Sequence, residues 1–485
     1  MDPQSSQPRS VAVVGTGMAG LVTAHLLHQD PQKRYRVTLL EKRDQISLSA
    51  ESIAIHSQDE KNSPLWADVP MRAFAGGFYR NLIQMYDYLG VRYHAQSFLF
   101  SFTKLPRKVQ EISSSPLKPS PIPGPRMVYA SNFHQIPPIP RTMDLVQWLL
   151  EAAYALLFYC WFTICCFFVA PFPEDPQNGT PSESLDHYLR RVWLPQSYVT
   201  DYLLPLVSSV CTCSHEEMLR FPASDVLEYK RRTHHQQHYV VSSGVQSVQG
   251  KLLKGIDVRL GVDLTHVLPQ PDGVHVNYSG LKGQTVSEHF DMVVLAVSPD
   301  IAAKLFAPLQ AQLTAIPTTS VETVAHTDTT SVEPMLRATG SFFSNKLPLS
   351  NATNFNTQRI HLLSTDSTTE SVHEQSNSIL VTTNPLFPVN KAKVIRSARF
   401  TRVLRDSRSR LIVNSIFRDR SQSNVPSTCD SSYAASSSWR SGDDGVYLAG
   451  GWCWDGMVLL EGCIVSAMRV AADLDVRTPW DNETR

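Results

Sequence analysis

The hydrophobic pattern predicts two apolar strands and a helix at the start of the chain. Val11 to Val14 form an uninterrupted run of small and β-branched apolar residues, which is typical of a buried parallel strand. Met18 to Leu27 carry apolar residues at helical spacing, and Val37 to Leu40 form a second apolar run. The order strand, helix, strand predicts a βαβ unit.

A turn with three glycines, Gly15, Gly17 and Gly20, joins the first strand to the helix. In a dinucleotide-binding unit the first glycine permits the tight turn, the second lets the backbone approach a pyrophosphate, and the third allows close helix packing. The second apolar run ends at Glu41, where a carboxylate accepts hydrogen bonds from ribose hydroxyls. An acid here argues against a ribose 2′-phosphate, so the pattern predicts a site for FAD or NAD.

Helical and strand-like patterns follow one another through the middle of the chain. A helix is expected from Leu82 to Leu89 with Gly90 as its C-cap, and further helices from Leu185 to Arg232. Short strands are expected within residues 239–278, and Phe290 to Ala296 form one apolar strand suited to a parallel sheet. Stretches rich in serine, threonine or proline are predicted to be loops: residues 113–125, 316–335 and 419–440.

A second glycine-containing motif, Gly450-Gly451, follows the apolar run Val446 to Ala449 and precedes a helix that starts near Glu461. This motif resembles the second FAD-contacting motif of the flavin-containing amine oxidoreductase superfamily, which includes monoamine oxidases and phytoene-type desaturases. In that pattern the strand places a glycine against the ribityl chain, and the helix aims its N-terminus at the isoalloxazine. The resemblance covers most of the chain and selects FAD.

The resemblance implies an α/β fold in which a Rossmann-type FAD-binding domain is built from N- and C-terminal segments. An inserted α+β substrate domain carries a long apolar helix, residues 148–172. The FAD-binding domain is predicted to comprise residues 1–60, 236–305 and 441–485, and the substrate domain residues 61–235 and 306–440. The resemblance implies that the ADP half is held by Gly15, Gly17, Met18, Ala19, Gly20, Glu41 and Lys42, the adenine side by the backbone of Val267, and the ribityl chain and flavin by Gly450, Gly451, Leu459 and Leu460.

Three departures from the family pattern bear on the substrate. The GGR turn that amine oxidases carry soon after the ribose acid is replaced here by Lys42-Arg43-Asp44, and Trp452 stands where an acid often follows the second glycine. The aromatic pair that sandwiches an amine in monoamine oxidases is not identifiable. These departures favour the fatty-acyl and polyene desaturases and uncharacterised FAD proteins of the superfamily, and no catalytic residue is assigned.

Composition narrows the classes of partner. The 44 basic and 44 acidic residues cancel, so a nucleic-acid partner is not expected. The eight cysteines form no CxxC pair, and neither a metal site nor a disulfide framework is predicted. The polar first ten residues contain no apolar signal region, which indicates folding in a reducing compartment such as the cytosol.

The least polar stretch, residues 148–172, is about long enough to cross a bilayer. One motif precedes it and the other follows it, yet both must contact one FAD. We therefore expect attachment to one membrane leaflet, with both FAD-binding halves cytosolic; a buried helix, a dimer interface and a true span remain as alternatives.

The expected activity is that of an FAD-dependent oxidase, dehydrogenase or desaturase that removes hydride from a hydrophobic small-molecule or lipid-like substrate. Two alternatives stay open: an amine oxidase proper, and a membrane-associated flavoprotein scaffold without turnover.

Overall fold

The computed structural model describes residues 7–55, 65–106, 122–131, 139–140, 143–174, 181–279, 284–339, 357–375, 378–417 and 439–481. The strands are β1 (Arg9–Val14), β2 (Tyr35–Leu40), β3 (Ile53–Ile55), β4 (Leu65–Ala67), β5 (Ala73–Ala75), β6 (Tyr93–Ala95), β7 (Ser97–Lys104), β8 (Met127–Ala130), β9 (His238–Val241), β10 (Asp257–Arg259), β11 (Asp263–Gln270), β12 (Gly273–Ser279), β13 (Thr285–Phe290), β14 (Met292–Leu295), β15 (Thr318–His326), β16 (Thr357–Ser364), β17 (Thr369–Glu374), β18 (Leu380–Thr383), β19 (Val394–Val403) and β20 (Val446–Leu448). The α-helices are α1 (Met18–His28), α2 (Arg80–Tyr88), α3 (Leu145–Phe168), α4 (Leu185–Arg191), α5 (Gln196–Tyr198), α6 (Leu204–Cys211), α7 (His215–Leu219), α8 (Ala223–Thr233), α9 (Gly244–Leu252), α10 (Pro299–Leu305), α11 (Gln310–Thr314), α12 (Glu333–Thr339), α13 (Ser407–Phe417) and α14 (Leu460–Asp473), with a π-helical turn at Val199–Leu203.

A five-stranded parallel sheet has the order β10-β2-β1-β14-β20. Val13 in β1 pairs with Leu39 on one side and Val294 on the other, and Val294 pairs with Tyr447. Residues Val11 to Val14 of β1 and all of β14 are buried, as expected for a parallel sheet with both faces covered. Segments from the start, middle and end of the chain thus build one Rossmann-type sheet, which confirms the predicted fold class.

A small antiparallel sheet, β11-β12-β13, leads into β14. The predicted parallel strand within Phe290 to Ala296 is confirmed as β14, but it begins at Met292, because Phe290 ends β13. Asp291 stands between them and accepts hydrogen bonds from the Ser10 N–H at 2.6 Å and hydroxyl at 2.7 Å. The chain changes sheets at this polar residue.

The inserted domain contains a seven-stranded sheet of order β19-β15-β18-β17-β16-β7-β8. Its neighbours are antiparallel except β7 and β16, which run parallel. The loop predicted for residues 316–335 is wrong, since Thr318–His326 forms β15, and Val321, Thr323 and Ala325 share one buried face. Threonine is favoured in strands, although its hydroxyl makes such a segment resemble a loop. Residues 113–121 and 419–438, also predicted as loops, lie outside the described residues.

Two short pieces complete the frame, the hairpin β3-β4 and the sheet β5-β9-β6. Helix α2 ends at Tyr88 with Leu89 as its cap, and Gly90 follows at φ 62°. The predicted cap at Gly90 is thus one residue too late, although the glycine supplies the left-handed conformation that ends helices.

The long apolar helix α3 lies against the protein along one narrow face. Asp144 caps its start by accepting a hydrogen bond from Gln147 N–H at 2.8 Å. Phe162, Cys165 and Cys166 are buried, and the helix contacts α8 and β8. Its opposite face is apolar and exposed over nearly the whole length; the large exposed residues are Leu145, Val146, Leu149, Leu150, Leu156, Leu157, Trp161, Ile164, Phe167 and Phe168. Within the described part of the chain, the alternative of a wholly buried helix is wrong.

Candidate functional site

The carboxyl ends of the parallel strands form one edge of the five-stranded sheet, and this edge carries both glycine motifs. Strand β14 separates β1 from β20, so the two motif-bearing strands lie about 10 Å apart. Ligands of open α/β sheets bind in the crevice outside this edge. The topology therefore brings the two predicted motifs to one place.

The first motif forms a tight turn with one open position. Gly15 has φ 100°, and a Cβ at Gly20 would lie 2.0 Å from the Gly15 carbonyl oxygen, so a side chain fits neither residue. A Cβ at Gly17 would meet no atom within 4 Å. The space beside Gly17 opens at the start of α1, where unpaired N–H groups and the helix dipole favour an anion. This cradle fits the diphosphate of FAD.

Glu41 is buried at the end of β2, and its carboxylate faces the glycine turn. Its Oε2 accepts hydrogen bonds from the N–H of Thr16 at 3.1 Å and the hydroxyl of Ser47 at 2.7 Å. Its Oε1 accepts one from Arg43 N–H at 3.0 Å. The acid thus lies where the sequence places it, but it also ties the turn to the following loop. Thr16 and Ser47 had no recognisable sequence signal.

Lys42 and Val267 contribute differently from the glycines. The Lys42 ammonium is largely exposed and lies 3.1 Å from Asp263 Oδ1, and a contact of Lys42 with the ADP half stays a prediction. Val267 is buried in β11, pairs with Val276, and belongs to the same apolar cluster as Val14. Strand β11 therefore lies beside the ends of the central strands, and the role of Val267 through its backbone stays a prediction.

The second motif is attached to α14 and reaches α1. Gly450 N–H donates to the Ser466 hydroxyl at 3.0 Å, while Leu459 caps α14 and Leu460 begins it. Burial raises the pKa of the Cys463 thiol to about 11, against the lowering effect of hydrogen bonds from the backbone of Ala19 and Gly451. Cys463 thus lies between the N-terminal turns of the two motifs, and the structure joins them there.

A buried arginine holds the loop between β20 and α14. Arg405 donates through Nη2 to the carbonyl oxygens of Trp452 at 3.0 Å and Trp454 at 2.8 Å. The Trp452 indole donates to Val297 O at 3.0 Å. Trp452, which replaces the acid of the family pattern, therefore fixes the loop instead of offering a carboxylate to the crevice.

Glu461 links α14 to the inserted domain. Its carboxylate accepts hydrogen bonds from the N–H groups of Asn81 at 2.9 Å and Leu82 at 3.1 Å and from the Asn81 amide at 2.7 Å. These donors begin α2, and burial raises the pKa of Glu461. The partners lie 379 and 380 residues away in sequence, so sequence reasoning could not find this cap.

Aromatic rings pack together at the start of α14. A Cβ at Gly462 would lie 2.4 Å from the Trp454 ring, so that ring rests on the first turn of the helix. Phe78 lies 5.9 Å from Trp454 and 4.9 Å from Tyr229, measured between ring centroids in edge-on contacts. Among the described residues, no three His, Cys, Asp or Glu side chains are arranged to bind a metal ion.

Family models match two parts of the chain. The NAD(P)-binding Rossmann-like domain matches residues 13–89, and the flavin containing amine oxidoreductase model matches residues 223–475, more than half of the chain. No curated protein matches the sequence.

Solved structures match over nearly the full length at low identity. A protein from Exiguobacterium sp. 255-15 described as a protoporphyrinogen oxidase is 13% identical, with 98% of this chain and 100% of that chain covered and a TM-score of 0.54. A CLA-producing fatty acid isomerase from P. acnes is 11% identical, with 96% of this chain and 99% of that chain covered and a TM-score of 0.55. A redesigned putrescine oxidase is 12% identical, with 97% of this chain and 99% of that chain covered and a TM-score of 0.53. At such identities the likeness establishes the fold alone.

Proposed function

Because the chain belongs to the family of flavin-containing amine oxidoreductases, we propose that it oxidises a hydrophobic, lipid-like small molecule taken from a membrane surface. The family identifies FAD as the cofactor and the protein as an FAD-dependent oxidoreductase. When bound, FAD supplies the acceptor for hydride from the substrate. The substrate class and the membrane are the parts that we propose.

The exposed apolar face of α3 carries the proposal. The 24 residues of α3, at about 1.5 Å per residue, give a stripe about 36 Å long with large apolar side chains and no charge facing out. An isolated patch of this size on a soluble protein marks an interaction surface. The polar groups of α3 face the protein instead: Glu151 pairs with Arg126 at 3.1 Å, and the Trp161 indole donates to Val192 O at 2.8 Å. Such a helix, apolar outward and anchored inward, suits one leaflet of a bilayer.

The sheet topology supports attachment to one leaflet rather than a crossing. Strands β1 and β2 precede α3 in sequence, whereas β10, β14 and β20 follow it, and all five belong to one sheet. Both FAD-binding segments therefore lie on the same side of any membrane that α3 contacts. We propose that this side is the cytosol.

A short aromatic path connects α3 with the crevice. Helix α8 packs against α3 and carries Lys230, whose ammonium donates to the Tyr159 hydroxyl at 3.0 Å. The ring of the adjacent Tyr229 contacts Phe78, and the ring of Phe78 contacts Trp454 near the start of α14. An apolar substrate that leaves the lipid at α3 thus has one helix to pass. The rings exclude water from the start of α14 and orient the substrate there.

Two other indoles support membrane contact. Trp161 is 43% exposed and Trp193, in a left-handed conformation, is 86% exposed. Tryptophan is enriched at membrane interfaces, where the ring lies at headgroup depth. Both indoles lie near the end of α3 that packs on α4.

Anaerobic reduction of the purified FAD-loaded protein tests the proposal. A panel of long-chain alcohols, fatty acids, polyenes and primary amines would be added, with flavin absorbance as the readout. We expect bleaching by at least one apolar class and none by short polar analogues of the same functional group. Bleaching by short amines alone would indicate an amine oxidase proper. Bound FAD that no compound reduces would favour the scaffold.

A further inference from the structure

A surface cavity lies at the opposite end of α1 from the FAD crevice. Its volume is about 630 Å³, which is ample for a small ligand. The cavity lies where three helices end, α1 at His28, α2 at Tyr88 and α9 at Leu252. The glycine turn that faces FAD is at the start of α1, and the 11 residues of α1 are about 16 Å long. The cavity is therefore separate from the cofactor site.

Basic side chains line the cavity. Lys251 and Lys254 contribute ammonium groups, and His25 and His28 contribute imidazole rings. Lys251 donates through Nζ to the carbonyl oxygen of Leu89, the residue that caps α2, at 2.8 Å, and two of its three N–H groups remain. Lys254 is exposed and makes no hydrogen bond or ion pair with any described residue. Both lysines can thus donate to a ligand.

The helix ends at the cavity do not cancel this positive charge. Each helix C-terminus carries about half a negative charge, so the three ends together contribute about −1.5 elementary charges. Lys33 adds to the positive side, because its Nζ donates to the carbonyl oxygen of His28 at 3.3 Å. With Lys251 and Lys254 it supplies three full positive charges, and among the described residues no acidic side chain lines the cavity. The excess of positive charge favours an anion.

His25 adds a polar group that lacks a partner. It is 5% exposed, and its Nδ1 lies 3.3 Å from the carbonyl oxygen of Leu252. Burial lowers the pKa of His25, so the ring is neutral, and the nitrogen that faces a carbonyl carries the proton. Nε2 is then an acceptor, and it has no hydrogen-bond partner in the described part of the chain. A hydroxyl group on a ligand would satisfy this acceptor.

An aromatic ring forms another side of the cavity. Tyr88 lines it and is 47% exposed, and the centroid of its ring lies 5.6 Å from that of Trp480. Trp480 is buried, so it supports the tyrosine from the protein side. The exposed part of the Tyr88 ring remains available to a ligand, and nucleobases stack on such rings.

We propose that this cavity binds a nucleoside phosphate. The ammonium groups of Lys251 and Lys254 bind the phosphate, a sugar hydroxyl donates to Nε2 of His25, and the base stacks on Tyr88. Inorganic phosphate or the headgroup of an acidic lipid shares only the contacts to the lysines. Because the site is separate from the FAD crevice, the proposal goes beyond the proposed function and does not rest on it.

Calorimetric titration of the FAD-loaded full-length protein tests the proposal. The probes are ADP, adenosine, inorganic pyrophosphate and dihexanoyl phosphatidic acid. Saturation with FAD keeps ADP out of the diphosphate cradle beside Gly17, and the flavin spectrum is recorded throughout. We expect ADP to bind more tightly than each of the other three probes, because only ADP offers the phosphate, the hydroxyl and the base together.

Variants of the lining residues separate the contributions. The double variant Lys251→Met, Lys254→Met should bind ADP about 10- to 100-fold more weakly, because it loses charge-assisted hydrogen bonds. Tyr88→Leu should weaken ADP about 5- to 100-fold and leave the affinity for pyrophosphate unchanged, because only the base contacts the ring. If the double variant does not fold, Lys254→Met alone keeps the test, since it breaks no contact within the described residues.

Lys304→Met is the matched control. Lys304 lies on α10, is exposed and does not line the cavity, so this variant loses the same charge elsewhere and should bind ADP like wild type. Retention of wild-type ADP affinity by the lysine variants would overturn the site. Release of FAD on addition of ADP would do so too, because ADP would then occupy the cofactor site.

The remaining outcomes concern the ligand. Equal affinity for pyrophosphate and ADP, or tighter binding of phosphatidic acid than of ADP, overturns the nucleoside phosphate as the ligand. Wild-type protein that binds none of the four probes overturns the proposal as a whole. None of these results changes the substrate assigned to the FAD crevice, which the anaerobic reduction of the flavin tests separately.

Discussion

A side chain at Gly17 should affect cofactor binding but not folding. A Cβ at Gly15 or Gly20 would lie less than 3.0 Å from a backbone oxygen, whereas a Cβ at Gly17 would meet open space. We predict that Gly17→Asp keeps the fold but loses FAD, because the carboxylate occupies the diphosphate position at the start of α1. The FAD-to-protein ratio after purification measures this. Gly20→Ala serves as a control that should unfold instead, and a yellow Gly17→Asp protein with wild-type stoichiometry would contradict the assignment.

Glu370 gives a pH dependence with a defined sign. It is 1% exposed, accepts a hydrogen bond from Leu386 N–H, and burial raises its pKa from 4.5 to about 7. Ionising it in the folded protein is unfavourable, so its destabilising contribution grows between pH 4.5 and 7 and is complete above pH 7. The free energy of unfolding of Glu370→Gln should therefore exceed that of wild type by a margin that grows by about 2 to 3 kcal/mol from pH 5 to pH 8. Urea unfolding at both pH values measures this, and a pH-independent difference would disprove it.

Whether the sequence predicts a site residue depends on how far along the chain its contact partners lie. Gly15, Gly17 and Gly20 act on their own turn, so their spacing alone predicts them. Arg405 and Glu461 act on backbone groups 47 to 380 residues away, and no local pattern marks such partners. The roles of Leu459, Leu460 and Val267 toward FAD stay predictions.

Between elements, Glu461 joins α14 to α2. We predict that Glu461→Ala destabilises the protein by about 1 to 3 kcal/mol, because two N–H groups at the start of α2 lose their acceptor. FAD affinity should fall as well, since the first turn of α14 loses its fixed position. Glu461→Gln keeps one acceptor oxygen but sets its amide NH2 against the remaining N–H donor, so its thermal stability should lie between those of wild type and the alanine variant. An alanine variant as stable as the glutamine variant would show that the cap contributes nothing.

Helix α3 should bind lipid without contributing much to the fold. Leu150 and Leu157 are 67% and 62% exposed, and each is worth about 1.5 to 3 kcal/mol when transferred to an apolar phase. We predict that wild type sediments with phospholipid vesicles and that the double variant Leu150→Glu, Leu157→Glu stays in solution at unchanged thermal stability. Leu260→Glu, at a 43% exposed position away from α3, should still sediment. Vesicle binding by the double variant would remove α3 as the lipid contact.

Elements were predictable where apolar residues form continuous runs. The parallel strands β1, β2 and β20 read directly from the sequence, because both of their faces are buried. The strands of the seven-stranded sheet were harder to predict from the sequence. Strand β15, for example, mixes threonine and serine with its apolar residues. For α3 the sequence gives the length and hydropathy, but which face packs on α8 depends on the tertiary structure.

At the scale of the whole molecule, one sheet unites segments from both ends of the chain. The family pattern predicted this assembly because two distant motifs must contact a single cofactor. The pattern could not predict Arg405, whose guanidinium donates to Trp452 and Trp454 in the loop between β20 and α14. The exact domain boundaries also stay predictions.

The visible absorption spectrum of the purified full-length protein shows whether the two motifs form one FAD site. We predict the bands of oxidised flavin with one FAD per chain, either as purified or after incubation with FAD. A folded protein, as judged by circular dichroism, that remains colourless after incubation with excess FAD would contradict the shared site of the two motifs.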